Sequence, residues 1–352
     1  MNKKRWVSLA LAGVMALSLV ACGGGTTESK APEESKAAES SNVDSNWNVT
    51  RPEGLPEGYP TKEITWINCF SAGSTVETCV RIMGQIIREN EGWNKSIVVS
   101  NVEGANGAIG WQQGVSSDPD GYTTFFYPTA AVITSMAVDG GFMPDDLKMV
   151  CTIMADPGII CVKADSPWET LEDLVNAAKE NPGKITMGCT AVNGSEGLAI
   201  IQLEAAAGVD FNAVPFDGET AVLTAVAGGH CDALCLNVGD CRTFLDDGSV
   251  KALATGNTER SEFYPDVPTY QEAGYDVVQL NVRGIAVPKD TDDAIVQYLS
   301  DCFEAAANSE SYLEQTKDMN IPYDFRGCTD AQELFADFQE TYEALWEVNP
   351  WG

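Results

Sequence analysis

From Ile64 onward the chain repeats one pattern: a short β-branched or aromatic run, a turn of small and polar residues, then apolar residues at helical spacing. The first copy reads Ile64-Thr65-Trp66-Ile67-Asn68-Cys69-Phe70, then Ser71, Ala72, Gly73, Ser74 and Thr75, then Val76, Cys79, Val80, Met83, Ile86 and Ile87. Such alternation predicts an α/β chain whose largely parallel sheet is covered by helices. A sheet of that kind places its site at the carboxyl ends of its strands. Each turn also leaves N–H groups unpaired at the positive end of a helix, where an anion is welcome. The N–H groups of Ser71, Ala72, Gly73, Ser74 and Thr75, with the hydroxyls of Ser71, Ser74 and Thr75, are therefore predicted to face an anion, a carboxylate or a phosphate. The same residues also suit a plain N-capped turn.

The pattern returns along the chain. Residues 96–101 form a predicted strand that opens into a flexible loop around Gly104, Gly107 and Gly110, and a third strand at 122–127 ends in Pro128, Thr129, Ala130 and Ala131. Two apolar runs follow at 149–154 and 159–162, and Thr170-Leu171-Glu172-Asp173 caps a helix that stops at Asn181-Pro182-Gly183. Residues 185–189 deliver a second polar turn, Thr190, Ala191, Val192, Asn193, Gly194 and Ser195, to a helix with Leu198, Ile201 and Leu203. A third corner runs from Phe216 through Asp217 and Gly218 into another helix.

The ends and the bulk composition limit what such a body can do. Lys3, Lys4 and Arg5 precede an apolar run closing on Leu19-Val20-Ala21-Cys22, so residues 1–21 read as a lipoprotein signal peptide and Cys22 as the lipidated N-terminus. Residues 22–58 read as a tether, too poor in large apolar side chains to fold over most of their length. A net charge of −31 argues strongly against nucleic acid or an anionic membrane surface as partner. Ten cysteines follow Cys22, and most fall inside apolar runs, which favours buried free thiols over disulfides. His230 is the chain's one histidine. It stands beside Cys231, with Cys235 and Cys241 nearby, but these spacings match no zinc pattern, and no metal or cofactor is expected. A lone histidine in this setting also weakens a Ser-His-Asp or Cys-His enzyme reading.

An ordered set of short motifs then points further. They include Tyr59-Pro60, Phe70-Ser71-Ala72-Gly73 with Glu77 and Arg81, Asn101 with Gly104, Gly107 and Gly110, and Pro119-Asp120-Gly121-Tyr122-Thr123. Asn181-Pro182-Gly183-Lys184, Val214-Pro215-Phe216, Gly228-Gly229 with Asp232, Pro265-Asp266-Val267-Pro268-Thr269 and Gly284 with Ala286 and Pro288 continue the series. In this the chain resembles the substrate-binding receptors of the tripartite tricarboxylate transporter family, also called Bug receptors.

The resemblance implies a type II periplasmic-binding-protein fold, two α/β lobes joined by two crossing strands with a ligand cleft between them. Lobe 1 would comprise residues 59–158 and 284–352, and lobe 2 residues 159–283. It also implies a monomeric receptor outside the cytoplasm that hands a small carboxylate to integral-membrane permease subunits. The ligand's proximal carboxylate would lie between the turn at Phe70 to Thr75 and the turn at Thr190 to Ser195, with Thr129, Ala130 and Phe216 close by. Three positions depart from the family's usual residues: Cys69 for proline, Asp217 for lysine and Arg283 for an aromatic. Arg283 on a crossing strand then becomes the candidate bidentate carboxylate partner, unless it serves an interlobe ion pair. Asp217 and Glu77 leave room for a ligand amine, so dicarboxylates, tricarboxylates and amino acids all remain open. Two other classes stay open as well: a sensor receptor without a transport role, and an exported thiol enzyme working through Cys69 or Cys189.

Overall fold

The structure is a computed structural model that describes residues 47–350 apart from 71, 139, 140, 193, 262, 318, 320 and 349. The expected signal peptide, Cys22 and most of the expected tether lie outside the described residues. The tether was expected to reach residue 58, yet the folded body already includes Trp47. The Trp47 indole donates to Glu91 at 2.7 Å, and Arg51 donates to the Tyr298 hydroxyl at 2.9 Å and the Tyr59 carbonyl at 2.7 Å. Trp47, Val49 and Leu55 pack on the core beneath. Three large apolar side chains within nine residues are enough to hold this stretch down.

Strand β1 (Ile64–Asn68) runs into helix α1 (Thr75–Asn90), and all six apolar positions of the first repeat, from Val76 to Ile87, are buried. Strands β2 (Ile97–Asn101) and β3 (Thr123–Pro128) flank β1 and run parallel to it. The glycine stretch between them is no open loop: a 3₁₀ turn leads directly into α2 (Ala108–Val115). A Cβ on Gly110 would stand 2.8 Å from the Cys69 Sγ, so glycine here lets α2 lie close against the end of β1. Helix α3 (Thr129–Ala137) leaves the end of β3.

The two apolar runs at 149–154 and 159–162 belong to one strand, β4 (Leu147–Lys163), which is buried along nearly its whole length. Helix α4 (Leu171–Glu180) begins at the predicted capping box: Asp173 N–H donates to the Thr170 hydroxyl, and the Asp173 carboxylate accepts the Thr170 N–H. Then come β5 (Thr186–Cys189), α5 (Ser195–Ala207), β6 (Asn212–Pro215), α6 (Glu219–Ala227), β7 (Ala233–Asn237), α7 (Val238–Asp246) and β8 (Val250–Thr255). Strand β9 (Leu280–Pro288) and helices α8 (Asp293–Ala307), α9 (Glu310–Thr316) and α10 (Cys328–Val348) complete the chain.

The nine strands among the described residues join in one sheet, in the order β2-β1-β3-β9-β4-β7-β5-β6, with β8 also on β4. Pairing is parallel within each lobe and antiparallel where β4 and β9 pass between lobes. Strand β4 pairs with β9 as far as Pro157 and with β7 from Gly158 onward. One core fills lobe 1, whereas lobe 2 has a core on each face of its sheet. Alternation along β7 divides those two cores: Ala233 and Cys235 face α5, and Leu234 and Leu236 face α7. The ten cysteines among the described residues are free thiols, nine of them buried.

Candidate functional site

A cavity of about 920 Å³ opens between the first turn of α1 in lobe 1 and the first turns of α7 in lobe 2, with the crossing strands as its floor. Ser74, Thr75 and Val76 line one wall, Val238, Gly239 and Asp240 the opposite one, and Asp156 and Arg283 the floor between them. Residues 257–261 with Phe263 and Tyr264, and Met319 with residues 321–324 and Arg326, close the sides.

The α1 wall is built by its own acidic residue. Ser74 is the N-cap, its hydroxyl accepting the Glu77 N–H at 3.2 Å, and the Glu77 carboxylate turns back to accept the Gly73 N–H at 3.0 Å. Asn68, Asn101 and Arg81 also donate to Glu77. Burial alone would push this carboxyl up, but Arg81, the Gly73 N–H and Asn101 outweigh it and hold Glu77 below the usual glutamate range. The capped-turn reading of this corner is thus correct as far as Ser74 and Gly73 go. What remains for a ligand are the Thr75 and Val76 N–H groups, which a helix's first turn leaves without intrahelical partners, and the Thr75 hydroxyl.

Opposite, the Asp240 carboxylate accepts from both the backbone N–H and the side-chain amide of Asn237. Burial pushes Asp240 up, with Glu219 adding to the rise and the Asn237 bonds and Arg283 opposing it. Asp156, on β4, is 6% exposed. Its Oδ1 accepts the Gly239 N–H at 3.1 Å, and burial raises its carboxyl to about 6 despite that bond and the nearby Arg283 charge. A Cβ on Gly239 would come within 2.7 Å of Asp156 Oδ2, so the glycine makes room for this carboxylate.

Four of the chain's eight arginines line this one cavity: Arg242, Arg260, Arg283 and Arg326. Three have acidic partners, Asp246 for Arg242, Glu272 for Arg260 and Asp324 for Arg326. Arg283 forms no ion pair among the described residues; its one hydrogen bond is a 3.4 Å contact to the Asn281 carbonyl. That leaves a half-buried guanidinium available at the junction of the lobes.

Of the residues singled out from sequence, the cavity gathers Ser74, Thr75 and Arg283. Ser71 and Asn193 lie outside the described residues. Ala72 and Gly73 are exposed beside the α1 wall, and Phe70 turns its ring onto Trp111 and Phe126. Thr129 is fully buried with its hydroxyl already engaged, donating to the Leu280 carbonyl and accepting from the Val282 N–H, and Ala130 follows it into α3. Thr190, Ala191, Gly194 and Ser195 belong to the α5 corner, on the face of the lobe 2 sheet away from α7. There Thr190 donates to the buried Glu196, and Leu198 reaches the lobe 1 core. Phe216 packs by Gly188, and Asp217 is exposed. The first turn of α7, rather than that of α5, lines this cavity opposite Ser74, Thr75 and Val76. Sequence reasoning missed Asp156, Gly239, Arg242 and Arg326; with eight arginines in the chain, their rarity is a signal that could have singled out two of these.

The thiols have other duties. Cys69 is fully buried, and burial pushes it far above the usual thiol range; Cys189 is raised to about 11 by burial, with Glu196 and Cys231 adding. Burial thus disfavours, at both positions, the thiolate that a thiol enzyme needs. Cys231 and Cys235 donate to the Ala233 carbonyl and Gln279, and His230 is exposed. Among the described residues no three His, Cys, Asp or Glu side chains gather as a metal-binding set.

Comparison with known proteins accounts for this two-lobed cavity. The family model for the tripartite tricarboxylate transporter family receptor matches residues 82–345. The chain belongs to that family. A Cupriavidus necator relative, the UPF0065 protein in the gbd 5′ region, is 28% identical over 270 residues, covering 75% of this chain and 81% of its own. Protein BugT of Bordetella pertussis is 26% identical over 264 residues, 73% of this chain and 79% of its own. Among solved structures, a TctC solute-binding protein from Polaromonas, without ligand, superposes with a TM-score of 0.76 at 25% identity, covering 82% of this chain and 99% of that one. This tripartite-tricarboxylate-type receptor accordingly has the fold and family of extracytoplasmic solute-binding proteins, and that family consists of receptors rather than enzymes.

Proposed function

We propose that this receptor captures a small organic carboxylate in the cavity between α1 and α7 and delivers it to a tripartite tricarboxylate-type permease. It works as a monomer tethered to the outer face of the membrane through a lipid on Cys22. The observation that carries the ligand class is Arg283: a half-buried guanidinium with no ion pair among the described residues, lying between the first turns of helices from two different lobes. A carboxylate seated on Arg283 gains a bidentate charge-assisted pair and the field of both helix ends. Thr75 and Val76 supply N–H donors from lobe 1. Because Arg283 stands on a crossing strand, ligand contact there favours closure of the lobes.

The test is a thermal-shift screen with mono-, di- and tricarboxylates and acidic amino acids. A binder at a hundred times its dissociation constant adds about 2.7 kcal/mol to the folded state and raises the melting temperature. If no carboxylate in the screen raises it, the proposal is wrong.

A further inference from the structure

Three of the four cavity arginines are matched by carboxylates of the protein, and Asp240, on the α7 wall, takes two Asn237 donors on its Oδ2. Two charged groups on the floor are left incompletely matched. One is the Arg283 guanidinium. The other is Asp156, whose Oδ1 takes the Gly239 N–H while Oδ2 has no hydrogen-bond donor among the described residues.

Sheet register puts these two on the same face. Arg283 is directly opposite Met154 in the β4–β9 ladder, and Asp156 stands two residues beyond Met154. A diagonal pair of this kind has Cα atoms about 7–8 Å apart. They form no ion pair with each other, so a cation and an open acceptor face one cavity side by side.

Burying a carboxylate on a single hydrogen bond is unfavourable for folding alone. The local structure nevertheless accommodates it, since Gly239 leaves out the one atom that would collide with Oδ2. We infer that Asp156 is a specificity-determining residue that selects, among the carboxylates Arg283 accepts, those carrying a hydrogen-bond donor on the carbon next to the carboxylate. The inference rests on the carboxylate reading above. A hydroxyl or an ammonium supplies the required chemistry. An unsubstituted acid would leave Asp156 Oδ2 desolvated and unpaired when the lobes close, and that is how a polar site rejects an analogue lacking the matching group.

The test uses three four-carbon diacids differing only at carbon 2: succinate with hydrogen, malate with hydroxyl and aspartate with ammonium. Dissociation constants are measured by calorimetry on the full receptor. In the wild type, malate or aspartate binds at least about tenfold more tightly than succinate, a difference of one good hydrogen bond; which of the two leads identifies the donor. In Asp156→Ala the difference shrinks to within about threefold while succinate affinity holds or improves. Gly239→Ala, which keeps the carboxylate but crowds Oδ2, narrows it in the same way and covers the case of an Asp156 variant that does not fold. Equal binding of all three acids by the wild type, or full discrimination surviving in both variants, overturns the role of Asp156 and leaves the carboxylate reading standing. No binding of any of the three, with Arg283→Ala indistinguishable from wild type in the wider screen, overturns both.

Discussion

The Thr129 hydroxyl accepts the Val282 N–H at 3.0 Å and donates to the Leu280 carbonyl at 3.2 Å, tying the first residue of α3 to the strand that leaves lobe 2. With Thr129 fully buried, neither backbone group has water as a substitute. Thr129→Val keeps the shape and removes both bonds, so it should lower the unfolding free energy by about 1–3 kcal/mol in denaturant titrations. A loss confined to ligand affinity, with stability untouched, would assign Thr129 to the ligand instead.

Glu77 is the centre of the α1 corner, and Glu77→Gln should destabilise the protein by about 1.5–3 kcal/mol, as expected for hydrogen bonds to a charged group. Its sign with pH is fixed by the direction of its shift. A carboxyl held below its usual range in the folded state adds stability above the ordinary glutamate value and loses it as pH falls through the lowered one. The gap in melting temperature between wild type and variant should therefore close on acidification. A gap that is constant from neutral pH to about pH 3 would show that the charge is irrelevant.

Asp156 behaves in the opposite sense. Burial, with Asp240 adding and the Gly239 N–H and Arg283 opposing, raises its carboxyl from 3.8 to about 6. Between those two values the folded protein holds more of this proton than the unfolded chain does, so stability falls as pH rises through the window. At neutral pH the ionised group is unfavourable by up to about 3 kcal/mol. Asp156→Asn is expected to raise the melting temperature at neutral pH and to lose that advantage near pH 4. A variant less stable than wild type at neutral pH would contradict this.

Arg283→Ala should weaken carboxylate binding by at least about tenfold, or 1.4 kcal/mol. The unliganded protein should lose less than about 1 kcal/mol, since no ion pair among the described residues is broken. Calorimetry and melting on one preparation separate the two effects. A large loss of stability with unchanged affinity would return Arg283 to a structural role.

Periodicity made α1, α4 and the flanking strands readable, because each rests on local spacing and local caps such as Ser74 and Thr170. The continuity of β4 was hidden. Ala155-Asp156-Pro157-Gly158 looks like a break in an apolar run, yet it carries the strand across the hinge, where β9 and then β7 supply the pairing. The partner of the α1 corner was equally out of reach of the sequence. Several helices begin in similar polar turns, and spacing along the chain does not show that α7 lines the same cavity as Thr75. The first residue of the body was misjudged because Trp47 and Arg51 are held by Glu91 and Tyr298, side chains far along the chain.

The unbroken sheet has a mechanical consequence. Since β4 and β9 are members of the same ladder as the strands of both lobes, these crossings, among the described residues, are paired strands rather than slack linkers. Opening and closing must wind and unwind the ribbon itself. The irregular register of β4 between Met149 and Cys151 and between Thr152 and Met154 marks where its twist is already uneven. Two paired crossings join the lobes like a torsion spring, so any change in the width of the cleft works against the twist of the sheet.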